Sequence, residues 1–255
     1  MKEINVISTK DQTLQPSLFF ESPQKGQPLL VGLHTWSADR FNQKGKLLPL
    51  TEKLGWNLLL PEFRGANLEK NPNCTDACGS LKAKQDIIDT VDYVKQNYNI
   101  DENNIFLLGA SGGGHMALLM AGYAPEYWRA VGAFVPVVDL KKWHEENENY
   151  RSSIEVCLGG APSEATESEY NYRSPINHIS EISKANLKIF SGKWDPVIPC
   201  HHGLDIYNSI FQSYPEANIY FEMFDGKHEM PLDMAEKWLC SQIYGNKNNN
   251  EQVTG

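Results

Sequence analysis

The sequence predicts an α/β fold, a mostly parallel central sheet with helices on both faces. Three observations predict it. Short apolar runs of strand length alternate with stretches of helical periodicity from about residue 28 to residue 244. Two of those runs, Pro28-Leu-Leu-Val-Gly-Leu-His34 and Ile105-Phe-Leu-Leu108, lack the alternation of a half-solvated strand, as strands buried on both faces do. Side chains able to do chemistry stand where the strands end, which is where open α/β sheets gather their functional groups.

The elements follow in order. Residues 2 to 9 and 16 to 21 read as an opening hairpin around Lys10-Asp11-Gln12, followed by the strand 28 to 34 and the polar run Thr35 to Asn42. A helix at 45–54 and a strand at 57–60 come next. The helix 80–98 has the clearest pattern, with Ile87, Val91, Val94 and Tyr98 on one face and Asp86, Asp89 and Lys95 among the polar positions. Strand 104–108, helix 112–123 and strand 130–135 continue the alternation. After a long segment, strand 187–190, helix 201–213, strand 218–223 and helix 231–244 complete it. Residues 1–245 form a single domain, and the segment 139–182 is long for a connection, as lids and pocket walls are. Residues 246–255 read as a polar tail.

Composition narrows the function. With 41% hydrophobic and 22% charged residues the chain is that of a globular protein with a large core. A net charge of −9 and the lack of a Lys/Arg run argue against nucleic acid as a partner. Met1 to Lys10 does not read as a leader, and no run reaches the ~18 apolar residues of a membrane span, so the expected location is the cytoplasm. The five cysteines form no metal-binding spacing and no paired framework, which fits a reducing compartment; a local bridge between Cys74 and Cys78 stays open. Oligomeric state leaves no mark on the sequence.

The chemistry concentrates at Gly109-Ala-Ser111-Gly-Gly113, between the run Ile105–Leu108 and a helix that places Met116, Leu119, Met120 and Tyr123 at helical spacing. This G-x-S-x-G spacing is that of a nucleophile elbow, a strand-to-helix turn too tight for side chains at its glycines, with the serine hydroxyl exposed. The free N–H groups that open the helix, including that of Gly112, face the place where an oxyanion would form. Asp195 and His228 each follow a later strand, in the chain order Ser, Asp, His.

With Phe63-Arg64-Gly65, Asp101-Glu-Asn-Asn-Ile105, Arg173-Ser-Pro-Ile176, Gly192-Lys-Trp-Asp195-Pro-Val-Ile-Pro199 and Gly226-Lys-His228, the chain resembles the α/β-hydrolase superfamily. Within it the likeness is to the prolyl oligopeptidase catalytic domain and to dienelactone-hydrolase-like and acetyl-esterase-like proteins. The resemblance implies Ser111 as nucleophile, His228 as general base, and Asp195 as the carboxylate that orients the imidazole. It implies a second oxyanion donor, the N–H of Thr35 or Trp36, beside that of Gly112. No metal or organic cofactor is implied. Trp36 stands where prolyl oligopeptidases have a tyrosine, His34-Thr35 replaces the His-Gly of many relatives, and these residues hold no counterpart of the propeller that screens peptides.

Other residues carry plainer readings. Asp139 is an alternative triad acid or the N-cap of a short helix at 140–145. His115 reads as a packed or exposed helix residue, Arg64 as a partner for a carboxylate of the fold ahead of a substrate contact, and Glu164, Glu167 and Glu169 as a solvated face. His201 and His202 have no carboxylate or cysteine at ligand spacing in sequence. Trp143, Tyr150, Tyr170 and Tyr172 either line a pocket or close the core. The expected function is a serine carboxylic ester hydrolase acting on small short-acyl esters, with a small-molecule ester as its partner and neither nucleic acid nor membrane. A prolyl-oligopeptidase-like peptidase and a non-catalytic hydrolase-fold binding protein are the alternatives.

Overall fold

The computed structural model describes residues 1–244; the polar tail 246–255 lies outside them. The hairpin expected first is β1 (Lys2–Ile7) paired antiparallel with β2 (Leu14–Phe20). Then follow β3 (Gln27–Leu33), α1 (Lys44–Leu54), β4 (Asn57–Pro61), α2 (Leu81–Asn97), β5 (Ile100–Ala110), α3 (Gly112–Tyr123) and β6 (Ala130–Phe134). The segment 139–182 folds into the short helices α4 (Leu140–Glu146), α5 (Arg151–Leu158), α6 (Glu167–Arg173) and α7 (Ile179–Ile182). The chain closes with β7 (Leu187–Gly192), α8 (His201–Ser213), β8 (Ile219–Phe224) and α9 (Leu232–Tyr244).

The strands form one sheet in the order β1-β2-β4-β3-β5-β6-β7-β8. β2 also meets β4 antiparallel, and every pairing from β4 to β8 is parallel. β5 starts earlier than its apolar run suggests, because Ile100 pairs with Gln27 across an irregularity in register. Helices cover both faces. On one, Ile87 and Val91 of α2, Met116 and Leu119 of α3 and Ile206 of α8 pack on Val31, Leu107 and Ile189. On the other, Leu47 and Leu50 of α1 and Trp238 and Leu239 of α9 cover Leu58, Phe106 and Phe134. α3 is buried from Gly112 to Ala121, so the turn that opens it sits deep within the fold. Among the described residues no helix is long and apolar enough to cross a membrane.

Local chemistry sets the element ends. The Ser80 hydroxyl accepts the Ala83 N–H at the start of α2, and Gly55 ends α1 at φ +71°. Arg64, directly after β4, is buried with two donors on Asp86 of α2 and two on Asp11 of the β1–β2 turn. The guanidinium holds the Asp11 carboxyl well below the usual carboxylate range. Arg64 therefore ties the hairpin to the parallel sheet. Replacing Arg64 with Met would leave Asp86 buried and unpaired, and urea unfolding should register a loss of about 3–5 kcal/mol. Most of that loss should return in the double variant Arg64→Met/Asp86→Leu.

Candidate active site

Ser111 lies between the end of β5 and the start of α3 with φ +58° and ψ −123°, a backbone state that costs an L residue roughly 1–3 kcal/mol unless its surroundings impose it. They do. A Cβ at Gly109 would fall 2.1 Å from the Gly113 carbonyl oxygen, and one at Gly112 would fall 2.5 Å from the Trp36 nitrogen. The turn is thus pressed against its own helix and against the loop after β3. The Ser111 N–H donates to the Phe134 carbonyl at 2.9 Å, and its carbonyl accepts from His115.

His228 Nε2 stands 2.9 Å from Ser111 Oγ, and its Nδ1 stands 2.7 Å from Asp195 Oδ2. Because an ionised carboxylate only accepts, Nδ1 carries the proton, which leaves the Nε2 lone pair to take the hydrogen of the serine. The other Asp195 oxygen accepts the N–H groups of Val197 (2.8 Å) and Ile198 (2.9 Å), so the carboxylate, with no exposed side-chain surface, is fixed from two sides. Lys193 N–H donates to Phe224 O and Trp194 N–H to Gly226 O, stapling the Asp195 loop to the His228 loop. Asp139 caps α4 through Lys142 N–H at 3.0 Å, and His228 has Asp195 as its carboxylate.

The two oxyanion candidates after β3 separate. The Thr35 N–H is spent on Asn42 Oδ1 at 3.2 Å, and Gln43 Nε2 donates to the same oxygen. The Trp36 N–H donates to no group among the described residues and lies against Gly112. Asn42 and Gln43 carried no sequence signal for this role, because only the folded loop brings them round to Thr35. The Trp36 indole donates to Ser153 Oγ of α5 at 2.9 Å and meets Trp143 of α4 edge-on at 5.0 Å. Ser153 in turn donates to the Tyr150 carbonyl. The segment 139–182 therefore holds the residue that presents the N–H.

The pocket over Ser111 has a volume of about 210 Å³ and is walled by Trp36, Tyr150, Val135 and Met230, with Gln43 and Lys46 at one side. Of the four aromatics in the segment, Tyr150 reaches this pocket, whereas Trp143 and Tyr170 are buried in a small core with Ile154 and Leu158. Tyr172 faces a separate depression. Cys74, Cys78 and Cys157 belong to the same small core, and Cys74 and Cys78 are free thiols, not a bridge.

His201 and His202, with no carboxylate at ligand spacing in sequence, acquire an acidic neighbour in the fold. Glu146 of α4 lies 3.0 Å from the Nε2 of each ring. The three donor atoms lie within 4.8 Å of one another. The Val138 N–H points at His202 Nδ1, which leaves that ring's proton on Nε2, shared with Glu146, and ties α4 to α8. His115 is packed, its Nε2 donating to the Arg173 carbonyl at 2.7 Å.

Comparison with known proteins places this geometry in a wider setting. Residues 79–232 match the prolyl oligopeptidase family. Acylamino-acid-releasing enzyme 1 of Oryza sativa subsp. japonica is 25% identical over 224 residues, 84% of this chain and 27% of the rice protein. The chain thus spans less than a third of the length of that relative. Among solved structures, Pyrococcus horikoshii acylaminoacyl peptidase is similar with a TM-score of 0.72 at 14% identity, over 89% of this chain and 37% of that one. An esterase of Pyrococcus furiosus is similar with a TM-score of 0.68 at 17% identity, over 94% of this chain and 88% of that one.

Two predictions follow from the packing around Ser111. Ser153→Ala releases the Trp36 indole, and turnover of a Ser111-dependent substrate should drop about tenfold in kcat with KM little changed, since a donor displaced by a fraction of an ångström loses its transition-state contact first. Burial brings the His115 pKa down to about 4, below that of the unfolded chain, and lowers those of His34 and His202 as well. Between about pH 6.5 and pH 4 the unfolded chain binds protons the native state does not, so stability falls with pH there. For His115 the loss approaches ~3 kcal/mol, and His115→Gln should flatten the urea midpoint over that window.

Proposed function

The chain belongs to the prolyl oligopeptidase family of serine hydrolases, and on that premise we propose that it hydrolyses small, short-acyl carboxylic esters through an acyl-enzyme. The observation that carries this reading is the continuous hydrogen-bonded line Asp195, His228, Ser111 opening on a pocket of about 210 Å³. In the reaction Ser111 Oγ attacks the carbonyl while His228 Nε2 takes its proton. The tetrahedral oxygen rests between the N–H groups of Gly112 and Trp36, and Asp195 stabilises the imidazolium. His228 returns the proton to the departing alkoxide. Water, activated by the same imidazole, then frees the acid. A pocket walled by Trp36, Tyr150 and Met230 suits a compact acyl group.

A second reading, release of an acylated amino acid from a peptide, is favoured by the relative named as an acylamino-acid-releasing enzyme. Both readings share the nucleophile and differ in the leaving group. The measurement that separates them is the initial rate on p-nitrophenyl esters from acetyl to octanoyl beside an N-acyl-aminoacyl p-nitroanilide. A rate that peaks at acetyl or butyryl supports the ester reading, and preference for the anilide supports the peptidase. Ser111→Ala should lower either activity by at least about a thousandfold. Turnover that survives in that variant overturns both.

A further inference from the structure

Lys84 is a charge that neither the fold nor the Ser111 site uses. It lies on α2, is 4% exposed, and among the described residues its Nζ makes no ion pair and no hydrogen bond. It stands instead 4.0 Å from the centre of the Tyr172 ring and 5.3 Å from that of Tyr123. A lysine this buried is almost always paired, because an ammonium loses its hydration on burial and aromatic faces restore only part of it. Burial, with the Arg173 guanidinium nearby, brings its pKa down to about 8. The site therefore holds a cation at a penalty that an anion would relieve.

The amine opens on a depression of about 330 Å³ that shares no lining residue with the Ser111 pocket. Leu119, Tyr123 and Tyr172 give it an apolar and aromatic lining, and His178 and the exposed Glu181 complete it. Three neighbouring groups are committed elsewhere or neutral. Arg173 donates to Glu169 and to the carbonyls of Ala77 and Thr75, His115 with its pKa near 4 is neutral, and the Tyr123 hydroxyl donates to Gln85. One unpaired cation between two ring faces complements a carboxylate that carries a flat apolar body. The Glu181 carboxylate in the wall disfavours ligands of higher negative charge.

We propose that Lys84, Tyr123 and Tyr172 form a second binding site, for a small aromatic monocarboxylate, with its carboxylate on Lys84 Nζ and its ring against the tyrosines. Benzoate is the probe, read by calorimetry and by the rise in Tm. Benzamide is the neutral isostere, acetate lacks the ring, and inorganic phosphate is the competing anion. Wild type should bind benzoate at least about tenfold more tightly than benzamide, acetate or phosphate. Above about pH 8 the affinity should fall by up to about tenfold per pH unit as the ammonium is lost. Lys84→Met removes an unpaired buried charge while keeping the volume, so the unliganded variant should melt no lower than wild type while its benzoate affinity drops at least about tenfold. Tyr172→Ala, at an exposed ring, should weaken benzoate more than acetate. The proposal is overturned by any of four results: no benzoate binding to wild type, equal binding of benzamide, unchanged benzoate affinity in Lys84→Met, or phosphate binding more tightly than benzoate.

Discussion

The close approach of three backbone segments at Gly109, Gly112 and Gly113 is the constraint on which the rest of the structure depends. At these three glycines, where β5 turns into α3, there is no room for a Cβ: one segment is the helix itself, another the loop after β3, and the third the strand end. That closeness holds Ser111 at positive φ and lays the Trp36 backbone against Gly112. The cost of the strained serine is spread over the burial of α3 from Gly112 to Ala121, whose removal from water is worth far more.

Around that point, each functional group is fixed by backbone and not by side-chain packing alone. The Asp195 loop and the His228 loop are joined by two main-chain hydrogen bonds, and Asp195 is gripped by two N–H groups of its own loop. The imidazole then has one remaining freedom, rotation about its bonds to the backbone, which Asp195 and Ser111 limit from either side. The segment 139–182 adds a third support through Ser153 and Trp143, which grip the indole whose main-chain N–H faces the site. An insertion that looks peripheral in the chain is thus continuous with the donor loop.

Two buried cations show how differently the fold treats charge. Arg64 is surrounded by Asp11 and Asp86 and joins the antiparallel hairpin to the parallel sheet. Lys84, on the same helix as Asp86, stands over two aromatic rings and makes no ion pair among the described residues. Desolvation acts on both, and among the described residues only the first has a carboxylate in hydrogen-bond contact.

The sequence by itself determined the alternation of strands and helices, the elbow around Ser111, and the order Ser111, Asp195, His228, because apolar periodicity and glycine spacing are local properties that chain geometry turns into local structure. It offered the cap beside the triad acid for Asp139, and packed beside exposed for His115; the fold caps α4 with the first and buries the second. Only the tertiary structure shows the Thr35 N–H occupied by Asn42 and the Trp36 N–H without an acceptor among the described residues, since Asn42 must fold back to reach Thr35. Likewise only folding brought Glu146 to His201 and His202, set Ser153 under the Trp36 indole, and left Lys84 between Tyr123 and Tyr172. The physical reason is common to all four. Each is a contact between side chains or loops from different elements, and periodicity reports which face of an element is buried but not which residue of another element it will meet.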